Sequence, residues 1–184
     1  MFTKYKAIMP NTGYFIIITT VGWVDIFTRL EQKYVIIKVL KYSQQHKGLE
    51  IYAYCIMPSH VHMLCKALGG FSLPNTIRDF KKYTSKNIIK TIINYPEKRR
   101  EWILTYFKNA CVYLNQNQTY KVWQDVYHAE MCSSNTFINQ KLDYIHNNPV
   151  KDKIVKNPED YIFSSARNYA DLDSELEVVI LIIF

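Results

Sequence analysis

The sequence predicts an α+β fold of the ferredoxin-like sandwich type. We expect a central antiparallel sheet with helices on one face, including a last helix that carries Tyr144. The predicted elements run strand, helix, strand, strand, helix, strand, helix, with the two middle strands adjacent. Of the 184 residues, 48% are hydrophobic, which is enough for one substantial core. We therefore expect one domain over residues 1–170 and a C-terminal tail of unknown role over residues 171–184.

The first predicted elements are a buried strand and a helix. Residues 14–20 (YFIIITT) form a β-branched and aromatic run after an Asn-Thr-Gly turn signal, which is typical of a buried strand. Apolar residues recur at helical spacing over residues 31–46, and Gly48 is the expected end of that helix. The apolar positions of the helix are Tyr34, Ile37 and Leu40.

Two adjacent strands and a second helix follow. Residues 49–57 and 61–67 are apolar runs joined through Pro58-Ser59, which predicts an antiparallel pair. A helix with Pro74 in its first turn is then expected to run from residue 72 to about residue 93. Its apolar stripe comprises Ile77, Phe80, Thr84, Ile88 and Ile92.

The elements after this helix are less regular. Residues 96–118 include an aromatic-rich helical stretch, with Trp102, Tyr106, Phe107 and Tyr113 among basic residues. Such a mixture suits single-stranded nucleic acid, but aromatic residues at helical spacing more often belong to a core, and we favour the core for most of them. Residues 122–131 alternate enough to form one more strand. A last helix, capped by Ser133, Ser134 and Asn135, is expected to run to Asn147, where Asn148-Pro149 stops it.

The charge of the chain favours a polyanionic partner. Lys and Arg number 23 against 16 Asp and Glu, a formal net charge of +7. An excess of this kind is most simply explained by nucleic acid. On the second helix a basic ridge follows at four-residue steps, and we lean to a phosphate-facing surface over a plain solvated face. The ridge comprises Arg78, Lys82, Lys86 and Lys90.

The cysteines and the apolar runs indicate the cellular compartment of the protein. The four cysteines have no CxxC spacing and no signal peptide precedes them, which predicts reduced thiols in a cytoplasmic protein. Cys55 and Cys65 permit a structural zinc site with nearby histidines, but their spacing does not support it. The apolar run over residues 178–184 is too short to span a bilayer, so no membrane partner is expected. That run could add a strand to the sheet, pair with a second copy or stay disordered.

The candidate chemical centre is His60-Val61-His62. On a strand both imidazoles point to the same face, and two neutral imidazoles are a natural pair of ligands for a divalent cation. Two surface histidines without function are the plain alternative. On the last helix Tyr144 and Asn148 share a flank one turn apart, with Lys141 close by, and could face the histidines. Spacing alone does not single out Tyr144, because the chain has 15 tyrosines.

Several motifs in order carry a resemblance to a known family. His60-Val61-His62, preceded by IMPS, resembles the HUH motif (histidine, bulky hydrophobic residue, histidine) of single-tyrosine transposases. Trp123-Gln124, the YIHNNPVK of residues 144–151 and the PEDYIFSSA of residues 158–166 resemble the branch called REP-associated tyrosine transposases. The similarity extends from the first strand to about Tyr169. The first motif alone is weak, but the motifs together are specific.

The resemblance implies a metal-dependent endonuclease and strand transferase acting on single-stranded DNA, with hairpin-forming DNA as the expected partner. Tyr144 would be the nucleophile and form a 5′-phosphotyrosine link, while His60, His62 and Asn148 would bind Mg²⁺ or Mn²⁺. The family contains monomers and dimers, so a homodimer stays open. Further DNA contacts are expected from Trp123, Gln124, Lys141 and Lys151, beside the basic ridge.

A function of another class is also open. The same fold could serve as a non-catalytic nucleic-acid-binding module, with a structural metal or none. Intact His60, His62 and Tyr144 favour the enzyme, because a binding module has no need of all three.

Overall fold

A computed structural model describes residues 9–112 and 118–182. Its strands form one antiparallel sheet in the order β2-β3-β1-β4. The strands are β1 Tyr14–Thr19, β2 Leu49–Ile56, β3 His60–Ala67 and β4 His128–Met131. The helices are α1 Leu30–His46, α2 Leu73–Asn94, α3 Arg100–Asn109, α4 Asn135–Lys151 and α5 Ala166–Tyr169, with 3-10 turns at Val21–Trp23, Ile26–Thr28 and Pro158–Asp160. The predicted α+β class is confirmed. Tyr113, expected to be helical, lies outside the described residues.

Different helices cover the two faces of the sheet. The register of β1 and β3 pairs Ile17 with His62, so Phe15, Ile17 and His62 share one face, and α4 lies against it. Ile16 points to the other face and is fully buried under α1 and α2, which also contact each other. The prediction placed the helix with Tyr144 in one layer with the other helices, but this face is covered by α1 and α2. The helix with Tyr144 lies on the opposite face, the one to which the histidine side chains point.

The helical layer shows how far periodicity predicts burial. All five apolar positions predicted for α2 are buried. In α1 the prediction for Tyr34 is wrong, because this side chain is 43% exposed and the core positions are instead Ile36, Ile37 and Leu40. The Tyr34 hydroxyl donates to Glu175 (2.9 Å), and the ring packs edge-on against the buried Phe163 at the margin of the core. Gly48 follows α1 in a left-handed conformation (φ 58°), and a Cβ there would collide with the ring of Phe71.

The strand predicted over residues 122–131 is mostly wrong. Only His128–Met131 joins the sheet as β4. Upstream of it, Trp123 forms an isolated bridge with Thr20, and the backbone N–H of Gln124 donates to Thr19 (2.9 Å). Trp123 itself stays beside β1 and is buried against α2, where its indole N–H donates to Thr84 (2.9 Å), and the strand is interrupted over residues 124–127.

The predicted stop of α4 at Asn148-Pro149 is also wrong. The helix continues to Lys151 with Pro149 inside its last turn. An interior proline removes one helical hydrogen bond and typically costs about 3 kcal/mol. Asn148 and Pro149 are both buried, so packing against the sheet offsets this cost and keeps the last turn helical.

The chain after α4 closes the outer edge of β2. Backbone N–H groups of Ile56 and Ser165 donate to Phe163 and Tyr54 (both 3.0 Å), so residues 161–165 run beside the strand. Further on, the N–H of Val179 donates to Ile51 (2.9 Å). Covering an edge in this way removes a surface on which another chain could pair. The role of the tail over residues 171–184 stays a prediction, and residues 183 and 184 lie outside the described part. No helix in the described ranges has the length and apolar character to cross a membrane.

Candidate active site

His60 and His62 lie on one face at the start of β3. Their Nε2 atoms are 2.8 Å apart, and their rings meet edge to face with centroids 4.5 Å apart. Oγ of Ser59 lies 3.2 Å from Nδ1 of His60 and orients that ring with Nε2 toward His62. The two ring nitrogens therefore converge, as two ligands of a single cation must.

Burial keeps the two imidazoles neutral. His62 is 1% exposed, and desolvation, with smaller contributions from His60 and Lys141, lowers its pKa to about 3. Desolvation also lowers the pKa of His60, against a smaller opposing effect of Asp152. A neutral imidazole retains the lone pair with which it binds a metal.

The last helix adds an amide to the pair. Nδ2 of Asn148, a buried residue, lies 3.3 Å from Nε2 of His62. A half-turn of the amide exchanges Nδ2 with Oδ1 and presents an oxygen at the same place. Two imidazole nitrogens and one amide oxygen can bind a divalent cation such as Mg²⁺ or Mn²⁺. Their affinity for it is lower than that of carboxylate ligands. Within the described residues no three His, Cys, Asp or Glu side chains cluster as a metal site, so the amide is the candidate third donor.

Tyr144 lies one helical turn before Asn148. Its ring stands edge-on to those of His62 and Phe15, with centroid distances of 5.3 and 5.9 Å. The side chain is 38% exposed, and Nζ of Lys151 lies 5.3 Å from the ring centre. The phenol thus stands at the solvent edge of the histidine pair with a cation beside it.

A second lysine, Lys141, is held near the ring of Phe15 by the sheet. Nζ of Lys141 lies 3.0 Å from a carboxylate oxygen of Glu130 and 4.3 Å from the ring centre of Phe15. Glu130 lies on β4 and also pairs with His128. Lys151 therefore places positive charge beside Tyr144, and Lys141, which is paired with Glu130, lies beside Phe15, whose ring contacts that of Tyr144.

The PEDYIFSSA motif of residues 158–166 holds α4 against the sheet. Nε2 of His146 lies 2.9 Å from Oγ of Ser165, and that oxygen accepts the backbone N–H of Tyr54 on β2 (2.9 Å). Tyr161, from the same motif, donates its hydroxyl to Ile56 (2.7 Å). Burial lowers the pKa of His146 to about 4, so this imidazole is neutral. The motif therefore positions the helix that carries Tyr144.

The structure divides the predicted basic ridge. Arg78, Lys82 and Lys86 line a groove of about 780 Å³ between α2 and residues 118–125. Lys90 lines a different groove, between α1 and α2. Four-residue steps advance by about 40° more than a full turn, so Lys90 is rotated about 120° from Arg78 around the helix. Basic residues at four-residue steps therefore wind around the helix and do not all face the same groove.

Trp123 and Gln124 have structural roles beside this groove. Trp123 is 3% exposed and stacks on Phe27 (5.5 Å) in the core. Gln124 donates its side-chain N–H to the Thr20 carbonyl (3.2 Å). The structure therefore does not bring the indole of Trp123 to a surface where it could contact DNA.

Trp23 lies near the site and was not predicted from the sequence. The Trp23 side chain is 59% exposed, and its ring stands edge-on to His60 with centroids 5.4 Å apart. Its backbone adopts a left-handed conformation (φ 57°), which is unusual for a bulky residue. The available signal was a tryptophan next to Gly22, between the first strand and the first helix.

The fold and the site together define a transposase of the single-tyrosine kind: an open antiparallel sheet that presents two histidines to a tyrosine on a helix. The chain belongs to the family described as IS200-like transposases, whose model matches residues 10–148. The predicted family is thereby confirmed, and with it a protein that acts on DNA.

A solved structure supports the fold. The chain resembles a REP-associated tyrosine transposase bound to a REP hairpin, with a TM-score of 0.62 and 19% identity, over 100% of this chain and 95% of that one. It also matches a Deinococcus radiodurans protein assigned as a transposase, with a TM-score of 0.47 and 18% identity, over 79% of this chain and 97% of that one. No curated protein sequence matches the chain.

Proposed function

We propose that this transposase is a metal-dependent endonuclease and strand transferase that cuts and rejoins single-stranded DNA through a 5′-phosphotyrosine intermediate. The observation that carries the proposal is the meeting of a histidine pair on β3 with an amide and a phenol on α4. Nε2 of His62 lies 2.8 Å from that of His60 and 3.3 Å from the Asn148 amide, with the Tyr144 ring at 5.3 Å. A nucleic-acid-binding module would gain nothing from a buried neutral histidine pair beside an exposed phenol.

Tyr144 is the nucleophile in this proposal. Its oxygen attacks the phosphorus, the bond from phosphorus to the 3′ oxygen breaks, and the DNA 5′ end becomes linked to the tyrosine. The phenol loses a proton and the leaving 3′ oxygen gains one. Because the phosphodiester energy is kept in the phosphotyrosine bond, a 3′-hydroxyl of another strand can reverse the reaction. Lys141 and Lys151 attract the DNA phosphates toward the tyrosine.

His60, His62 and Asn148 are the proposed protein ligands of Mg²⁺ or Mn²⁺. Their donors fit such an ion because the two Nε2 atoms converge and both imidazoles are neutral. When bound, the cation would neutralise charge on the scissile phosphate and orient it. Ser59 holds the His60 ring in place, and the Ser165–His146 contact holds α4 at the required distance.

The proposed substrate is single-stranded DNA that forms a hairpin, on the likeness to the hairpin-bound REP-associated enzyme. Arg78, Lys82 and Lys86 supply a basic groove for its phosphates. A cytoplasmic location and a homodimer stay predictions from the sequence.

The direct experiment is to incubate the protein with end-labelled single-stranded hairpins taken from the flanks of its own gene, with Mg²⁺ or Mn²⁺. We expect a covalent protein–DNA product that resists denaturant, and peptide mapping should place the DNA on Tyr144. Binding of the hairpins without any covalent product, in either metal, would favour the binding module instead.

A further inference from the structure

Exposed aromatic rings lead away from the metal-ligand pair. Trp23 stands against His60 with ring centroids 5.4 Å apart. The next residue back, Gly22, is covered by the phenol of Tyr106 from α3. Tyr106 in turn lies against Trp102, one helical turn away, with centroids 5.6 Å apart. His60, Trp23, Tyr106 and Trp102 are thus linked in one continuous series of contacts.

The turn that presents Trp23 is rigid. Gly22 and Trp23 both have left-handed backbones (φ 62° and 57°). A Cβ at Gly22 would lie 2.0 Å from the Tyr106 hydroxyl oxygen, so only glycine lets the phenol approach this closely. Behind the turn, the Thr20 hydroxyl is 2.9 Å from the carbonyl oxygens of both Val24 and Ser59, to either of which it can donate. Strained backbone held by its surroundings is typical of functional sites.

Helix α3 divides its aromatic residues between core and surface. Ile103 and Phe107 are buried, as expected for a core helix, and Phe107 is 0% exposed. Trp102 and Tyr106 point to the other side and are 52% and 38% exposed.

We propose that Trp23, Tyr106 and Trp102 form a stacking path for successive bases of single-stranded DNA that enters or leaves the cleavage site. The proposal rests on the proposed function and extends it to the unpaired part of the substrate. Aromatic faces bind bases of any identity, so the path would guide the strand with little sequence preference. Continuity with His60 and the net charge of +7 favour DNA over a second protein as its occupant.

Tryptophan fluorescence offers a direct test, because the chain has three tryptophans and the third, Trp123, is buried. Titration of the full chain, in EDTA, with a single-stranded oligonucleotide should quench the wild-type emission by stacking on Trp23 and Trp102. A Trp23→Phe/Trp102→Phe double variant should still bind the oligonucleotide, since phenylalanine also stacks. Its remaining emission, from Trp123, should not be quenched. Quenching of wild-type size in the double variant would overturn the proposal.

Affinity gives a second test that does not depend on emission. Trp23→Asn tolerates the left-handed backbone and removes the ring, and Trp102→Leu removes a surface ring. Each should weaken oligonucleotide binding by roughly 5- to 100-fold. The salt dependence of binding should stay unchanged, because stacking releases no counterions. Tyr42→Leu, which removes a ring of similar exposure (51%) from α1, is the matched control and should bind like wild type.

The outcomes separate the path from the proposed function. Wild-type affinity in both folded variants, or a loss of self-association in place of a loss of DNA binding, would overturn the path. If the wild type binds through these rings but forms no covalent product, the proposed function fails and the path stands.

Discussion

Nδ2 of Asn148 lies 3.3 Å from Nε2 of His62, and this contact joins the last helix to a central strand of the sheet. The position of Tyr144 relative to the histidines therefore depends on how α4 packs. That packing is secured some distance away, where Ser165 bridges His146 and the backbone of β2.

Tyr144→Phe removes one oxygen and little volume, so the fold and DNA binding should be retained. Covalent product formation should fall by roughly 10³-fold or more, because no other group would supply the nucleophile. The rate is measured from the appearance of denaturant-resistant protein–DNA product. Tyr83→Phe, at an exposed tyrosine on α2, is the control. Product at the wild-type rate from Tyr144→Phe would mean that another tyrosine attacks.

Mn²⁺ should stabilise the wild type against unfolding, because it binds only the folded site. At a Mn²⁺ concentration 100 times its Kd, the free energy of unfolding should rise by about 2.7 kcal/mol. His60→Ala should abolish the gain, whereas Asn148→Ala should reduce it less, since water can replace an amide oxygen. The measurement is thermal or urea unfolding with and without the metal.

His46→Ala, at an exposed histidine on α1, should keep the full effect of Mn²⁺. Equal stabilisation of wild type and His60→Ala would place the ion elsewhere.

The metal-free protein should lose stability as the pH falls from 6.5 toward 4. The folded pKa values of His62 (about 3) and His146 (about 4) lie below the ordinary 6.5, so the unfolded chain binds more protons in this range. This contribution is complete above pH 6.5 and decreases below it. For His146 alone it is on the order of 3 kcal/mol.

Urea unfolding in EDTA at pH 7 and pH 5 measures this effect, in a range where most carboxylates stay ionised. His146→Gln should flatten the pH dependence, and His46→Gln should leave it unchanged. An unaltered slope in His146→Gln would show that this imidazole is not buried in its neutral form.

The lysines of the basic ridge line two different grooves, so substituting them one at a time tests which groove contacts DNA. Lys82→Gln and Lys86→Gln should each reduce the salt slope of DNA binding by roughly one unit, since each removes a cation from the groove beside residues 118–125. Lys90→Gln should change the slope little, because Lys90 lines the groove between α1 and α2. Equal effects of all three substitutions would mean that the DNA spans both grooves.

Local geometry explains what the sequence predicted. Alternation along a strand places His60 and His62 on one face whatever surrounds them, and helical spacing places Tyr144 and Asn148 on one flank. The five core positions of α2 follow from the same periodicity. Motif order then supplied the family and, with it, the proposed roles of these residues.

Contacts between distant segments decided the rest. The strand predicted over residues 122–131 is interrupted over residues 124–127, and the Trp123 indole N–H donates to Thr84, 39 positions away, in the core. Pro149 stays helical because the sheet buries it, and Trp23 reaches His60 through a turn that Tyr106 holds from another helix. Periodicity specifies which side chains share a face of their own element, since that depends on backbone geometry alone. Which face is covered, and by what, depends on the free energy of packing against residues far along the chain, and only the tertiary structure contains that information.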